Sequence, residues 1–461
     1  MSKNERAQRC CLNRVTERIH AMSTPTQISK SAAIYERALK VLPGGVSRNT
    51  VLREPHPAYA DHGAGCWLTD IEGVKRLDFA NNMASLIHGH ADPDIVRAVT
   101  EQLTKGSAFT MATEIEVQYA EHLCSRNAGF EKIRFVNSGT EALMVMLKAS
   151  RAFTGRAKIA KVEGAYHGGY DYAEVSQAPN PETWGEIDHP KSVPLAHGTP
   201  KSALDDVVVL PFNDVERAIA ILDEHADELA CVLLDLMPHR VGLRPADQVF
   251  VSAIREWTTR NGALLVLDEV ITFRTEFGGL QSRYGITPDL TAMGKMIGGG
   301  FPIGAVAGRA EVMEVLNPRS KKLLFPHSGT FSANPISMTA GLVAMEKFDA
   351  PAVARLNALA DRAIKGIEQA IERTGATACV TGGGAMFRVH MKANPPRNFR
   401  QAYLTPDENR RLSMLLDHMF DAGMVMINTS TATLSTPMSE TEIDALIEAY
   451  KQGFEKLVAM G

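Results

Sequence analysis

The sequence predicts an α/β protein: a large part built on a mostly parallel sheet between helices, and a smaller α/β part made from both ends of the chain. Three observations carry this. Five short apolar runs, Lys132–Val136, Lys158–Val162, Val207–Leu210, Leu229–Leu234 and Ala263–Leu267, alternate with segments of helical periodicity. Runs of that kind, buried on both faces, belong to parallel strands covered by helices. After about residue 346 the pattern changes to long helical stretches, Ala352–Thr374 just after Pro351 and Glu408–Ala422, flanking a glycine-marked strand region at Thr381–Met391. Finally, 461 residues with 45% hydrophobic content are enough for two or three domains with sizeable cores.

Taken in order, residues 1–28 form an N-terminal extension that is a candidate for disorder, and residues 1–21 of it have no evident packing role. Lys3, Arg6, Arg9, Arg14 and Arg18 interrupt it before any apolar run of signal-peptide length, and Met22 offers a later translation start. Residues 29–42 read as an amphipathic helix stopped by Pro43-Gly44-Gly45. Cys66–Thr69 and Lys75–Phe79 alternate as two strands around the turn Ile71-Glu72-Gly73. The expected organisation is a segment 29–85 packing with a C-terminal small domain 346–461, around a large domain 86–345.

The charge balance, −4 overall, is spread without long runs of one sign and gives no pointer to nucleic acid or an anionic membrane surface. No segment has the apolar length of a membrane span. A small-molecule substrate is the default. The six cysteines are scattered without a CxxC pair, which fits a reducing compartment and places the protein in the cytoplasm.

In parallel sheets of this type ligands gather at the carboxyl ends of the strands, and the polar motifs fall there. Phe135-Val136-Asn137-Ser138-Gly139-Thr140-Glu141 turns a strand into the helix Leu143–Ala152, with Ser138 and Glu141 at capping-box spacing. A helix starting at Ser-Gly-Thr offers free N–H groups, two hydroxyls and a positive dipole end, all suited to a phosphate; a plain helix cap reads the same way. The run Leu264–Leu267 ends in Asp268-Glu269. A buried carboxylate calls for a cationic partner, such as the ring nitrogen of pyridoxal 5'-phosphate (PLP), a metal ion, or a helix N-terminus. Lys295 stands between the apolar stretch Leu290–Met293 and the loop Gly298-Gly299-Gly300, where a solvated helical face is implausible. That loop is no Walker A motif, because no Gly-Lys-Ser/Thr closes it.

Two further loops add to these. Tyr166-His167-Gly168 offers an aromatic and an imidazole for stacking on a flat ring, and Ser328-Gly329-Thr330 is a second small-hydroxyl turn; ordinary structural turns would look alike. His88-Gly89-His90 lacks a nearby third ligand, so no metal site is expected.

In order and spacing, the set Asn137–Ala142, Tyr166-His167-Gly168, Asp268-Glu269-Val270, Gly294-Lys295 with its glycine loop, and Gly329-Thr330 resembles the class III PLP-dependent aminotransferases. Within that class it is most similar to glutamate-1-semialdehyde aminomutase and its relatives, from about residue 35 to the C-terminus. The resemblance implies PLP-dependent transferase fold type I, with Lys295 carrying the cofactor through its amine and acting as acid and base. It implies that Ser138, Gly139 and Thr140 hold the phosphate, that Tyr166 stacks on the ring with His167 beside it, that Asp268 pairs with the ring nitrogen, and that Val270 packs beneath. Thr330 would reach the phosphate of a neighbouring subunit's cofactor, so a homodimer with shared active sites follows.

Two departures bear on the reaction. Aminomutases of this kind carry Asn-Ser-Pro-Val-Arg after the paired glycines, whereas Val46-Ser47-Arg48 stands here. Ser-Arg is similar to aminotransferases acting on β-amino acids, in which the arginine binds the substrate carboxylate; a surface salt bridge is the plainer role for Arg48. The class generally has Glu-Pro where this chain has Leu234-Asp235-Leu236-Met237-Pro238, so Asp235 would replace that glutamate near the cofactor hydroxyl. Arg240 is a candidate second anchor for a carboxylate or keto acid. The expected activity is ping-pong amino transfer between an amino acid, a β-amino acid among the candidates, and a keto acid. The alternatives are intramolecular transfer on glutamate-1-semialdehyde and a non-catalytic PLP-binding regulator. The long connection Glu174–Lys201 reads as an active-site lid.

Overall fold

The computed structural model describes residues 29–460; the extension 1–28, with Met22, Cys10 and Cys11, lies outside the described residues. Two compact units emerge. Among the described residues, one comprises 29–62 with Thr69–Lys75, and the other comprises Gly63–Leu68 with 76–460. Residues 86–345 and 346–460 therefore fall in the same unit.

In the first unit the helix Lys30–Ala38 is capped by Ser29, whose hydroxyl accepts the Ala32 N–H. The helix is shorter than the 29–42 expected, because the chain winds down through Val41 and Leu42 N–H bonds to Ala38 O into the turn Pro43–Gly45. Strands β1 (Ala60–Ala64), β2 (Trp67–Asp70) and β3 (Lys75–Asp78) follow, three where two were expected. The turn after β2 is organised by Asp70 Oδ1, which accepts the N–H groups of Glu72 and Val74 at 3.0 and 2.8 Å.

The second unit contains a seven-stranded sheet of β4 (Lys132–Val136), β5 (Lys158–Val162), β6 (Val207–Leu210), β7 (Leu229–Leu234), β8 (Leu264–Asp268), β9 (Leu290–Gly294) and β10 (Gly304–Gly308), in the order β4-β10-β9-β8-β7-β5-β6. From β6 across to β9 every pairing is parallel, whereas β10 runs antiparallel to both β4 and β9. Strands β6 to β10 are buried along their whole length, which is why β6, β7 and β8 read as apolar runs. Strand β8 ends one residue later than expected, making Asp268 its last residue.

The C-terminal part adds β11 (Cys379–Gly383), β12 (Met386–His390), β13 (Met424–Val425) and β14 (Thr431–Thr433). Strands β11, β12 and β14 form an antiparallel sheet, and β13 pairs in parallel with the Leu77–Asp78 end of β3. The helix Ala350–Thr374 starts at Asp349, whose side chain accepts the Ala352 N–H, has Pro351 in its first turn, and stops at left-handed Gly375. Leu356, Ala360, Ala363 and Ile367 on one stripe of it share a core with Ile443, Leu446, Tyr450 and Phe454 of the helix Glu440–Ala459. No helix among the described residues is long and apolar enough to cross a membrane.

Candidate active site

The carboxyl ends of β8 and β9 and the start of the helix Gly139–Thr154 meet at one edge of the sheet. Gly304 of β10 pairs with Gly294 on one side and Val136 on the other, which brings Lys295 alongside the Ser138 turn. Only glycine fits at 304, since a Cβ there would lie 2.0 Å from Ser138 O. Gly139 is likewise pressed against Val270, whose Cγ1 would be 2.9 Å from an added Cβ.

Ser138 caps the helix by accepting the Glu141 N–H at 3.1 Å. The expected capping box is half formed, because Glu141 Oε2 takes the N–H of Asn137 at 2.7 Å and not that of Ser138. Gly139 and Thr140, in the first turn, have no intrahelical acceptor for their N–H groups. Thr140 Oγ1 accepts the Gly169 N–H at 3.3 Å, tying the loop Tyr166–Gly169 to this helix start. On that loop Tyr166 is half exposed, and His167 is buried.

Asp268 is buried at the end of β8. Its Oδ2 accepts from His167 Nδ1 at 2.8 Å, and its Oδ1 accepts the Val270 N–H at 3.0 Å. A carboxylate partner places the imidazole proton on Nδ1. Nε2 is then an unprotonated nitrogen, buried and with no partner among the described residues. Burial holds the His167 pKa below its ordinary value, outweighing Asp268.

Lys295 directly follows β9 with φ +50, a left-handed conformation that a lysine rarely adopts. Burial lowers its pKa, against the pull of Asp268 and Asp235. Asp235, just beyond β7, accepts the Met237 N–H at 2.9 Å. Burial, reinforced by Asp268, pushes its carboxyl well above the usual range. Glu269, left unassigned by the sequence, is fully buried and takes the N–H groups of Leu280 and Gln281 at 2.7 and 2.8 Å. Burial raises its pKa to about 7; its bonds brace the turn behind Asp268.

Arg240 lies in the turn His239–Val241, half buried, with no hydrogen bond or ion pair among the described residues. Burial lowers its pKa, and the Tyr166 phenol is the one group acting on it in the opposite direction. Its neighbours include two groups that were not legible in advance. Arg388 of β12 donates to His239 O at 3.2 Å and is depressed by burial to about 10. His239 hydrogen-bonds Thr429 and Thr431 through Nε2, and burial drives it down to about 3, hence neutral.

Arg48 belongs to the first unit, exposed at the start of the turn Asn49–Val51. Thr330 is exposed in a tight turn following Gly329. His88 and His90 are engaged by protein groups: His88 by Thr436 and Ala344 O, and His90 by Asp78.

The expected lid is a tethered segment. Arg400 pairs with buried Glu163 at 2.9 Å and donates to the carbonyls of Trp184, Gly185 and Glu186. Trp184 packs edge-on against Phe399 and Tyr403. Removing the guanidinium leaves an uncompensated buried carboxylate, a loss of about 3 kcal/mol or more. Arg400→Met is therefore expected to expose 180–200, measurable as trypsin cleavage at Lys191 about tenfold faster than in the wild type.

The site formed by these residues fits PLP in its chemistry. A carboxylate faces it from β8, a lysine from the next strand, a buried imidazole nitrogen is unpartnered, and a helix start offers unsatisfied N–H groups. That combination on one sheet edge defines a PLP-dependent transferase of fold type I. The chain belongs to the class III aminotransferase family, which it matches over residues 50–457.

Glutamate-1-semialdehyde 2,1-aminomutase from Methanothrix thermoacetophila is 35% identical over 94% of this chain and 98% of its own. Among solved structures, an omega-transaminase from Sphaerobacter thermophilus is 44% identical with a TM-score of 0.91, over 95% of this chain and 99% of its own. A β-phenylalanine aminotransferase from Variovorax paradoxus is 31% identical with a TM-score of 0.84, over 93% and 94%. Class III aminotransferases are enzymes that work with PLP, and this chain is one of them.

Proposed function

We propose that this enzyme transfers an amino group between a carboxylate-bearing amino acid, with β-amino acids in its range, and a separate keto acid. The observation that carries the reading is Arg240, a half-buried guanidinium without an acidic partner among the described residues, on the Tyr166 side of the site. A substrate carboxylate supplies the missing partner in bidentate form. Similarity to the omega-transaminase and the β-phenylalanine aminotransferase supports transfer between two molecules. Arg48 is proposed as a further carboxylate contact.

When bound, PLP supplies the electron sink that lets the amine-bearing carbon lose a proton. Ser138, Gly139 and Thr140 would hold its phosphate, Tyr166 and Val270 its ring faces, and Asp235 its hydroxyl. Asp268 would set a negative charge at the ring nitrogen and is itself held by His167 and the Val270 N–H. Lys295, its amine pushed toward neutral by burial, is the group that takes the proton and returns it.

The aminomutase reading is kept alive by relatives of that name. The two are separated by assaying α- and β-amino acids against pyruvate and 2-oxoglutarate. Transfer that requires an acceptor is expected, whereas conversion of glutamate-1-semialdehyde with no acceptor would reverse the choice. Arg240→Ala is expected to raise KM for a carboxylate donor about tenfold to a hundredfold, with a smaller change for an amine lacking the carboxylate.

The enzyme is further proposed to act as a homodimer with Thr330 reaching the partner's site. In support, Thr330 borders a pocket with Phe109 and Met111, both exposed apolar side chains of the kind a subunit contact covers. A cytoplasmic location accords with the free thiols of Cys66, Cys124, Cys231 and Cys379.

A further inference from the structure

Strand β5 carries a lysine where its neighbours are apolar. Lys161 is fully buried, flanked by Ala160 and Val162 in a strand that lies between β7 and β6. Burying a lysine is costly, and an apolar residue of the same length would fill the space. Its amine has two acceptors, Ala165 O at 3.1 Å and Val175 O at 2.7 Å, and no carboxylate. The nearest acid, Glu163, is occupied by Arg400. Two acceptors match the two N–H bonds of a neutral amine, whereas an ammonium would leave a third buried and unmet. Burial and the nearby Arg240 accordingly push Lys161 down to about 7, with Glu163 opposing.

The two carbonyls stand at the two ends of one loop. Ala165 immediately precedes Tyr166 and His167, and Val175 follows the short helix Asp171–Glu174. Gly164 N–H to Ser176 O at 2.7 Å closes the same neck. We infer that Lys161 is a positioning residue, whose amine clips both ends of the loop Ala165–Val175 and so fixes where Tyr166 and His167 stand against the cofactor. His167 in turn fixes Asp268, so a loosened neck is felt at the ring nitrogen although Lys161 touches neither substrate nor PLP.

The test uses full-length Lys161→Met and Lys161→Gln. Methionine keeps the bulk and loses the donors; glutamine keeps N–H donors without charge but is one atom shorter. In the PLP-free proteins, hydrogen exchange at residues 165–176 is expected to be about tenfold faster in Lys161→Met, and intermediate in Lys161→Gln, with β7 and β8 unchanged. With PLP bound, the visible circular dichroism of the cofactor should fall in the same order, because the ring is held less firmly. Wild-type exchange in the loop, or a uniform rise across the sheet with unchanged visible dichroism, would overturn the inference. If Lys161→Met does not fold, the Lys161→Gln comparison with the wild type decides on the same readouts.

Discussion

Lys295→Ala is expected to lower kcat/KM for amino transfer about ten-thousandfold, leaving the fold intact. The size follows from the two tasks proposed for Lys295, which would end together: the amine that would hold the cofactor and the amine that would move the proton are one group, and general acid and base catalysis alone contributes about a hundredfold to ten-thousandfold. The fold is expected to survive because the substitution removes a buried amine. The left-handed backbone at 295 directly follows the Gly294–Gly304 pairing, which alanine leaves in place. The measurements are single-substrate transfer rates and thermal melting of the PLP-free protein. An alanine variant that still transferred amino groups at a tenth of the wild-type rate, or kept the wild-type cofactor absorbance after dilution, would show that another amine does this work.

Most of the large sheet was legible because its central strands are buried on both faces. Strands β9 and β10 were not. Leu290–Gly294 is a short run that periodicity cannot assign, and Gly304–Gly308 consists of glycine, alanine and one valine, which reads as a continuation of the glycine loop. The small size of those residues has a cause visible only in three dimensions: β10 inserts between two strands, and at its start it crowds Ser138 O.

The site was legible where function follows strand ends, as at Asp268 and Ser138. It was illegible where the chemistry depends on partners far along the chain. Arg400 meets Glu163 across 237 residues, and Arg388 meets His239 across 149. Lys161 gave a local signal, a charge inside an apolar strand, which the reading of that segment as an ordinary buried strand passed over. Glu269 was visible as the second acid of a pair, yet its two backbone bonds to residues 280 and 281 depend on a turn no pattern announces.

Asp268→Asn is expected to lower kcat about a thousandfold while PLP still binds, because two effects of one carboxylate disappear together. The first is charge: an amide of the same shape places no negative charge at the ring nitrogen, so the ring accepts electrons less readily. The second concerns His167. The oxygen of the introduced amide can keep the Val270 N–H, which turns its NH2 toward His167 Nδ1, now a donor facing a donor. The imidazole must then shift its proton to Nε2, the buried nitrogen that has no partner among the described residues, and the group beside the ring changes from acceptor to donor. Asp268→Glu separates the two effects, since it keeps the charge and disturbs the distance; it is expected to retain about tenfold more activity than the amide. Pre-steady-state rates of the first half-reaction at saturating amino donor make the comparison. If Asp268→Asn reacted within tenfold of the wild type, the charge at the end of β8 would not be what activates the cofactor, and the His167 hydrogen bond would be a structural contact alone.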